Sequence, residues 1–306
     1  MFAWMRSYME IANGQELTKV LLIYKMNQDA LLLIADSGST KTDWALRSDA
    51  GDIHYFRTSG LNPFILGTDE LVTTIGNEVV PHISNFINRI VSLRFYGAGC
   101  REQGAERMSR ALKQIFEHAT VDVASDMLGA ARALLGREAG IACILGTGSN
   151  SCLFDGKTIV RSIPSLGYIL GDEGSGAVLG RKLLAGIFKK QLPDELCSTF
   201  NQEYMLLPED VMENVYRRPF PNRYMAGFVP FIKKHIDDVS IQNLVLEEFS
   251  RFFERNICAY RGNHQKVSFV GGIAYNFKEQ LQLAALHAHY EIGQILNSPF
   301  DKIENL

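Results

Sequence analysis

The feature that most constrains the fold is a short apolar segment that runs directly into a turn of small residues. This arrangement occurs three times, at Ala30–Ala35 with Asp36–Thr42, at Gly140–Leu145 with Gly146–Asn150, and at Val267–Val270 with Gly271 and Gly272. An apolar run bounded by glycine, serine and aspartate is typical of a buried strand that ends in a tight turn. Its repetition at long spacing indicates an internal duplication of an α/β unit.

Helical patterns lie between these turns. Val121–Asp126 reads as a short strand that ends in a carboxylate, and the alanine-rich segment Met127–Leu135 continues as a helix. The less regular segment 193–218 and the prolines that follow it predict an irregular stretch. Two apolar stripes at helical spacing predict amphipathic helices that pack on a core. These stripes are Met108, Leu112, Ile115 and Phe116, and Ile241, Val245, Phe249, Phe252 and Phe253.

Composition excludes several classes of protein. The 306 residues are 46% hydrophobic, which is enough for two domains with their own cores. Lys and Arg number 31 against 34 Asp and Glu, so there is no basic field that would attract nucleic acid. Apolar runs reach only about five residues, whereas a membrane span needs about 20. We therefore expect a soluble protein that binds neither nucleic acid nor membrane.

The five cysteines and the first residues bear on location and processing. The cysteines are odd in number and form no CxxC pair, which favours a reducing cytoplasm over a disulfide framework or a zinc ribbon. Residues 1–25 have no secretory apolar stretch and precede Met26, where a clean strand pattern soon begins. We expect them to be either a start-codon or cloning artefact or a short N-terminal helix, with neither alternative preferred.

The first turn is a candidate phosphate site. Small residues let backbone N–H groups approach phosphate oxygens, and hydroxyls and a lysine can add donors. Asp36 at the strand end can bind a hydrated Mg²⁺ through water. A simple hairpin turn explains the pattern equally well, and the GxxxxGK[ST] loop is absent. The candidate phosphate-binding residues are Ser37, Gly38, Ser39, Thr40, Lys41 and Thr42.

The second and third turns extend this hypothesis. Gly146, Thr147, Gly148 and Ser149 could bind the other end of the same polyphosphate through their backbone N–H groups. The pair Gly271-Gly272 lets a flat ligand such as a purine approach the backbone. Each turn alone is better explained as a tight structural turn. The three together, each after a buried strand, favour nucleotide binding.

Two acidic positions are candidates for chemistry. Asp126 lies where a strand gives way to a helix, and it is either an N-cap or a base that deprotonates a hydroxyl attacking a γ-phosphate. The segment Gly171–Gly176 contains Asp172 and Glu173 ahead of an apolar helix. It is either a capped helix start or a carboxylate site for sugar hydroxyls.

Taken in order, these segments resemble the N-acetylglucosamine kinase and BadF-type ATPase family of the actin-like superfamily, which includes hexokinases. The likeness runs from about Ala30 to the C-terminus, and its most specific element is the pair GTGSN and GDEGS. The segments that carry it are Asp36–Thr42, Ser125-Asp126 with Gly129-Ala130, Gly146–Asn150, Gly171–Ser175 and Gly271-Gly272.

The resemblance implies an α/β protein with the two-lobed actin-like ATPase fold, which is ribonuclease H-like. Each lobe would have a five-stranded mixed sheet with helices, and a cleft would lie between the lobes. On this basis we predict an N-terminal lobe at 26–127 and a C-terminal lobe at 128–291. A C-terminal helix at 292–306 could join the first lobe. A homodimer is plausible by family likeness alone.

The resemblance also implies roles for individual residues. Asp36 and the turn through Thr42 would meet the β- and γ-phosphates of ATP and Mg²⁺, and Gly271 and Gly272 would lie against the adenosine. Asp126 would be the base on the 6-hydroxyl of a sugar. The residues that would bind the sugar are Asn62, Asp126, Thr147, Ser149, Asn150 and Asp172.

The expected activity is therefore ATP-dependent phosphorylation of an amino sugar, with N-acetylglucosamine as the first candidate. An ATP-driven activator of an iron–sulfur dehydratase or reductase is the alternative, and a sugar-sensing regulator is a third reading. Animal members have Trp-Gly-His where this chain has Leu166-Gly167-Tyr168. Because leucine stacks on a sugar face less well than indole does, the identity of the sugar stays open.

Overall fold

The computed structural model describes residues 30–38, 40–262 and 266–306. The predictions made for the leader 1–25 and for Ser39 as a phosphate ligand lie outside these residues. The described chain divides into two compact units, of which the first ends at Asp126 and the second begins at Met127. We call them unit 1 and unit 2.

Unit 1 contains a five-stranded mixed sheet. Its strands are β1 (Leu31–Ser37), β2 (Lys41–Ser48), β3 (Ile53–Ser59), β4 (Ile90–Gly97) and β5 (Thr120–Ser125). They are arranged in the order β3-β2-β1-β4-β5, in which β1 is antiparallel to β2 and parallel to β4. Strand β1 alternates little and is buried almost throughout, as expected for a central strand covered on both faces.

Unit 2 contains a second sheet of the same size. Its strands are β6 (Gly140–Leu145), β7 (Ser149–Phe154), β8 (Ile159–Ile163), β9 (Lys266–Val270) and β10 (Glu291–Leu296). Their order is β10-β9-β6-β7-β8, with β6 antiparallel to β7 and parallel to β9. The first strand of each unit is therefore central and has an antiparallel hairpin on one side and parallel strands on the other. This shared topology confirms the duplicated α/β fold.

The helices of unit 1 connect its parallel strands. They are α1 (Thr68–Thr74), which continues through a π turn at Ile75–Val79 and a helical turn at Val80–Ile83, a 3-10 turn at Ile87–Arg89, and α2 (Gln103–Ile115). Helix α3 (Asp126–Leu135) follows β5 and spans the boundary between the units. Helices α2 and α3 confirm the predictions from the apolar stripe at 108–116 and from the alanine-rich segment.

Unit 2 holds most of the helices. They are α4 (Gly167–Leu170), α5 (Gly176–Phe188), α6 (Asp194–Tyr204), α7 (Pro208–Tyr216), α8 (Pro221–Ala226), α9 (Val229–Lys234), α10 (Val239–Phe252), α11 (Gly272–Asn276) and α12 (Lys278–His287). A π turn at Phe253–Ile257 and a 3-10 turn at Cys258–Tyr260 extend α10. The irregular stretch predicted after residue 193 is wrong, because α6 to α9 occupy it. Proline opens three of these helices at N1 or N2, where no helical N–H bond is lost.

The predicted C-terminal helix is also wrong. Residues 291–296 form strand β10, which pairs in parallel with β9, and Pro299–Asn305 form a 3-10 turn. This segment belongs to unit 2, so it does not join the first lobe. Its apolar residues at 292, 295 and 296 fit a half-buried edge strand, a pattern that short sequences share with helices.

Each unit has its own apolar core. In unit 1, Trp44, Leu46 and Phe95 pack with the β1 residues Leu31 and Leu33 beneath α1 and α2. In unit 2, a large aromatic cluster lies on one face of the sheet, and α3 packs on the other face. Within the described ranges no helix has the length and apolar character needed to cross a membrane.

Candidate functional site

Two carboxylates meet at one edge of the unit 1 sheet. Ser37 pairs with Gly97, and Gly97 pairs with Ser125, so the carboxyl ends of β1, β4 and β5 are level. Asp36 lies one residue before Ser37 and Asp126 one residue after Ser125. The carboxyl ends of parallel strands are where α/β proteins place ligands. The structure thus brings together the predicted metal ligand and the predicted base.

The electrostatics of this pair are unusual. Burial, together with the negative charges of Asp126 and Asp43 and against the opposing charge of Lys41, raises the pKa of Asp36 to about 7. A carboxyl group that is partly buried beside other anions favours a bound cation, because the cation restores the ionised form. Oxygen ligands of this kind suit Mg²⁺.

A bound Mg²⁺ would need further ligands from outside the protein. In the part of the chain that the structure describes, no three His, Cys, Asp or Glu side chains group to hold a metal ion. Because Mg²⁺ keeps several waters and binds through one or two carboxylates plus phosphates, Asp36 is sufficient as its protein ligand. The residues present fit the predicted group.

Lys41 is engaged rather than extended towards a ligand. Its Nζ lies 2.7 Å from Asp43 Oδ2, and Arg57 Nε donates to the other carboxylate oxygen of Asp43. Although burial acts to raise it, these two hydrogen bonds hold the pKa of Asp43 below its ordinary value. The Lys41 side chain is still half exposed, so its ion pair with Asp43 is weak and exchangeable.

Two hydroxyls of the first turn do not face a ligand, contrary to the sequence prediction that they add donors to phosphate. Ser37 and Thr42 are fully buried and hydrogen-bonded to each other at 2.8 Å. Ser37 Oγ also accepts from Leu61 N–H, and Thr42 Oγ1 donates to Ser59 O. These bonds satisfy buried hydroxyls and tie the hairpin to the segment after β3. Gly38 and Thr40 lie in the turn between β1 and β2.

Asn62 is fixed beside a glycine turn that the sequence analysis did not single out. Its Oδ1 accepts from Phe64 N–H, which leaves the amide nitrogen as the group able to donate to a ligand. Gly99, with φ +77°, lies so close that a Cβ there would be 2.1 Å from Asn62 Oδ1. A signal was present, since β4 ends at Gly97 and is followed by Ala98 and Gly99, which makes it a fourth strand that runs into small residues.

The second turn is anchored through its carbonyl groups. Gly176 and Ala177, at the start of α5, donate their N–H groups to Gly146 O and Thr147 O at 2.9 and 3.1 Å. A Cβ built at Gly146 would meet nothing within 4 Å, so a ligand can approach this backbone closely. The turn therefore fits the predicted phosphate loop.

Asp172 completes this cluster within unit 2. Its Oδ1 accepts from Ser149 N–H at 3.2 Å, and its carboxylate lies against Gly148. Burial raises the pKa of Asp172 to about 6, with the Ser149 N–H lowering it and the charge of Glu173 raising it. Asn150 follows Ser149 on β7, with its Oδ1 bonded to Ser151 N–H. The structure thus gathers the predicted unit 2 sugar ligands around one hairpin.

The third turn lies against the second. Gly271 N–H donates to Leu296 O at 3.0 Å, and a Cβ at Gly271 would be 2.3 Å from Leu145 O. With φ +124°, this position accepts only glycine without strain. Gly272 opens α11, and a Cβ there would meet only the Asn276 side chain, at 4.0 Å. Gly271 therefore serves packing, whereas Gly272 has the open backbone that a purine requires.

The sequence analysis missed the partners of Glu173. This carboxylate accepts from Arg255 Nη1 at 3.0 Å and from Asn256 Nδ2 at 3.2 Å. More than 80 residues separate the partners along the chain. No local pattern in the sequence indicates this contact.

No protein-family model matches the chain, and no curated protein matches it. Among solved structures, the "putative N-acetylglucosamine kinase" of Porphyromonas gingivalis is 46% identical, with a TM-score of 0.87 over 89% of this chain and 96% of that one. The "putative N-acetylglucosamine kinase" of Chromobacterium violaceum is 16% identical, with a TM-score of 0.69 over 90% of this chain and 97% of that one. At the lower identity the likeness shows the fold alone.

Proposed function

We propose that this chain, which belongs to the N-acetylglucosamine kinase and BadF-type ATPase family of the actin-like superfamily, transfers the ATP γ-phosphoryl group to the 6-hydroxyl of an amino sugar. N-acetylglucosamine is the first candidate, because it is the sugar in the name of the 46% identical relative. The observation that carries the proposal is the electrostatic interaction of Asp36 with Asp126, which lie at the level carboxyl ends of β1 and β5 with β4 between them. In such a pair, Asp36 can bind a cation and Asp126 can accept a proton.

Asp126 is assigned the role of base. As the sugar oxygen forms its bond to the γ-phosphorus, the bond from that phosphorus to the β–γ bridging oxygen breaks and ADP departs. The hydroxyl proton passes to the Asp126 carboxylate. Phosphoryl transfer depends mainly on position and charge, so the base orients the hydroxyl as well as accepting its proton.

The remaining residues bind and orient. Asp36 would hold Mg²⁺ through water, and the ion would supply positive charge to the phosphate oxygens. The N–H groups of Gly38 and Gly146 donate to Lys41 O and Gly148 O within their own turns, so phosphate binding is assigned to the other backbone N–H groups of the two turns. Gly272 is assigned to the adenosine. The sugar hydroxyls are assigned to polar groups from the predicted set. These are Asn62, Thr147, Ser149, Asn150 and Asp172.

The direct test is a coupled ADP-release assay with Mg-ATP against N-acetylglucosamine, N-acetylmuramic acid, glucosamine and glucose. Discrimination is measured as the ratio of kcat/KM values. We expect release with one acetamido sugar far above release with the other sugars. Sugar-independent hydrolysis of ATP, or no release at all, would contradict the proposal.

The first variant to test is Asp126→Asn. Loss of a general base costs about 10²–10⁴-fold in rate, so turnover should fall by this factor while Mg-ATP still binds. Asp122→Asn is the matched control, since Asp122 is an exposed aspartate on β5, the strand that leads into Asp126. Single-turnover kinetics and calorimetric titration with Mg-ATP measure the two effects. A wild-type rate in Asp126→Asn would remove Asp126 from the mechanism.

The iron–sulfur activator has no observation in its favour. Cys143 and Cys152 lie within the unit 2 sheet, Cys197 lies under α5, and Cys100 is in unit 1. All four are buried. Cys258 alone is partly exposed, whereas a four-cysteine cluster shared between two chains needs two accessible thiolates from each chain.

A further inference from the structure

The loop that carries Asp172 has no regular secondary structure of its own. In the segment Gly171–Ser175, Asp172 has φ +54° and Gly174 has φ +71°. A residue with a side chain seldom adopts such a φ, and it does so where surrounding contacts impose it. The two ends of the loop are fixed, since Asp172 N–H donates to Ser165 O and the Ser175 hydroxyl caps helix α5.

Glu173 fixes the middle of the loop. Its side chain is 11% exposed, and each carboxylate oxygen accepts a hydrogen bond. Arg255 Nη1 donates to Oε1 at 3.0 Å, and Asn256 Nδ2 donates to Oε2 at 3.2 Å. We call these three residues the Glu173 clamp. Asn256 is itself buried, so its amide depends on this carboxylate for a partner.

The donors of the clamp come from the π turn that follows α10. Arg255 and Asn256 are consecutive residues within Phe253–Ile257. In a regular α-helix consecutive side chains point about 100° apart, which makes it difficult for both to reach one carboxylate. A π turn changes this spacing, and such turns are frequent at functional sites. The helix is thus irregular where it meets the loop.

We propose that Glu173 is a positioning residue whose clamp with Arg255 and Asn256 holds the Gly171–Ser175 loop so that Asp172 meets the sugar hydroxyls. The inference rests on the proposed function for its substrate but not for the clamp itself. The hydrogen bonds of Glu173 go to Arg255 and Asn256, so, apart from its charge, it acts on Asp172 through the backbone that the two residues share.

A matched control lies in the same region of unit 2. Glu248 on α10 is 2% exposed and pairs with Arg251 at 2.9 Å and with Lys182 at 3.6 Å. It resembles Glu173 in burial and in its arginine partner, but its carboxylate makes no bond to the loop. Glu173→Gln and Glu248→Gln therefore remove the same charge from two buried ion pairs, and only the first weakens the clamp.

Steady-state kinetics provide the first comparison. Glu173→Gln should raise KM for the sugar by up to about 100-fold, the loss that a small misplacement produces, with KM for ATP unchanged. Glu248→Gln should lower the melting temperature and leave both KM values unchanged. Arg255→Gln, at an exposed side chain, should also raise the sugar KM, but by less than Glu173→Gln does. Equal sugar KM values for Glu173→Gln and wild type would overturn the proposal.

Hydrogen exchange separates the clamp from the proposed function. Measured by mass spectrometry without ligand, Glu173→Gln should speed amide exchange in residues 165–176, and Glu248→Gln should not. Faster exchange together with no sugar phosphorylation by the wild type would support the clamp and refute the kinase assignment. Unchanged exchange in Glu173→Gln would refute the clamp, whatever the activity of the wild type.

Discussion

Asp36 and Asp43 are opposite each other in the β1–β2 register, yet their environments shift their acidities in opposite directions. Burial and the charge of Asp126 raise the pKa of Asp36 to about 7 from an ordinary 3.8. Asp43 is held below 3.8 by hydrogen bonds from Lys41 and Arg57, in spite of its partial burial. The ionised Asp43 therefore stabilises the fold, whereas the ionised Asp36 destabilises it.

The raised pKa of Asp36 has a consequence for stability. Between about pH 4 and pH 7 the folded protein binds more protons at this site than the unfolded chain, so the free energy of unfolding falls as pH rises through this range. Asp36→Asn should remove this dependence and raise the melting temperature at pH 8 while abolishing Mg-dependent turnover. About 2–4 °C corresponds to 1 kcal/mol in domains of 150–250 residues. Thermal unfolding at pH 5 and pH 8, with no nucleotide, measures the effect.

Asp43→Asn is the control variant, because its effect on the free energy of unfolding should have the opposite sign. Its carboxylate stabilises the fold above pH 3.8, and that stability is lost as pH falls through its lowered native pKa. We expect a slightly lower melting temperature at pH 8, because partly exposed ion pairs contribute about 0–1 kcal/mol. A loss of stability in both variants at pH 8 would contradict the interpretation of Asp36.

At the scale of elements, the turn glycines are of two kinds: some have no room for a Cβ because other backbone packs against them, and others have open space beside them. Gly271→Ala should be strongly destabilising, because its Cβ would be 2.3 Å from Leu145 O and its φ is +124°. Backbone strain of this kind costs about 1–3 kcal/mol before the clash is added. Urea unfolding followed by circular dichroism measures the loss.

Gly272→Ala and Gly146→Ala are the comparison variants. Both positions have open space for a Cβ and a negative φ, so the free energy of unfolding should change little. If nucleotide lies on these backbones, the added methyl groups should raise KM for ATP. Destabilisation of Gly272→Ala as large as that of Gly271→Ala would show that the division is wrong.

Strand ends were predictable from the sequence, but contacts across the chain were not. Asp36 and Gly146 each follow an apolar run and Asp126 follows an alternating strand, and a strand pattern followed by small or acidic residues is a local signal. The burial of the Ser37 hydroxyl depends on Leu61, 24 residues away, and the Glu173 clamp depends on residues more than 80 away. The helix predicted at 292–306 is wrong at β10, because apolar residues at 292, 295 and 296 suit a helix as well as a half-buried strand.

At the scale of the whole molecule, each unit has a separate apolar core, so we expect two unfolding transitions in calorimetry without ligand. Leu33 in β1 and Ile141 in β6 are both fully buried at the centre of their sheets. Replacing either with alanine should cost about 2–5 kcal/mol. Leu33→Ala should shift one transition and Ile141→Ala the other. Val91→Ala, at a half-exposed position of β4, should shift neither.

A single transition that both core variants lower equally would contradict this expectation. Mg-ATP should raise the transition of any unit that binds it, by an amount that grows with the logarithm of its concentration. Sugar added afterwards should raise the transition of unit 2, which holds Asp172, and that of unit 1 if Asn62 and Asp126 also bind it. These titrations therefore show which unit responds to each ligand without any substitution.

The placement of the cysteines allows a spectroscopic label to be attached to the chain at one position without any substitution. All five lie within the described residues, and Cys100, Cys143, Cys152 and Cys197 are buried. Burial raises the pKa of the Cys100 thiol to about 12, so it forms little of the thiolate that alkylating dyes attack. Cys258 is partly exposed and lies two residues after Asn256. A maleimide fluorophore should react there first and report on the Glu173 clamp in the wild-type protein.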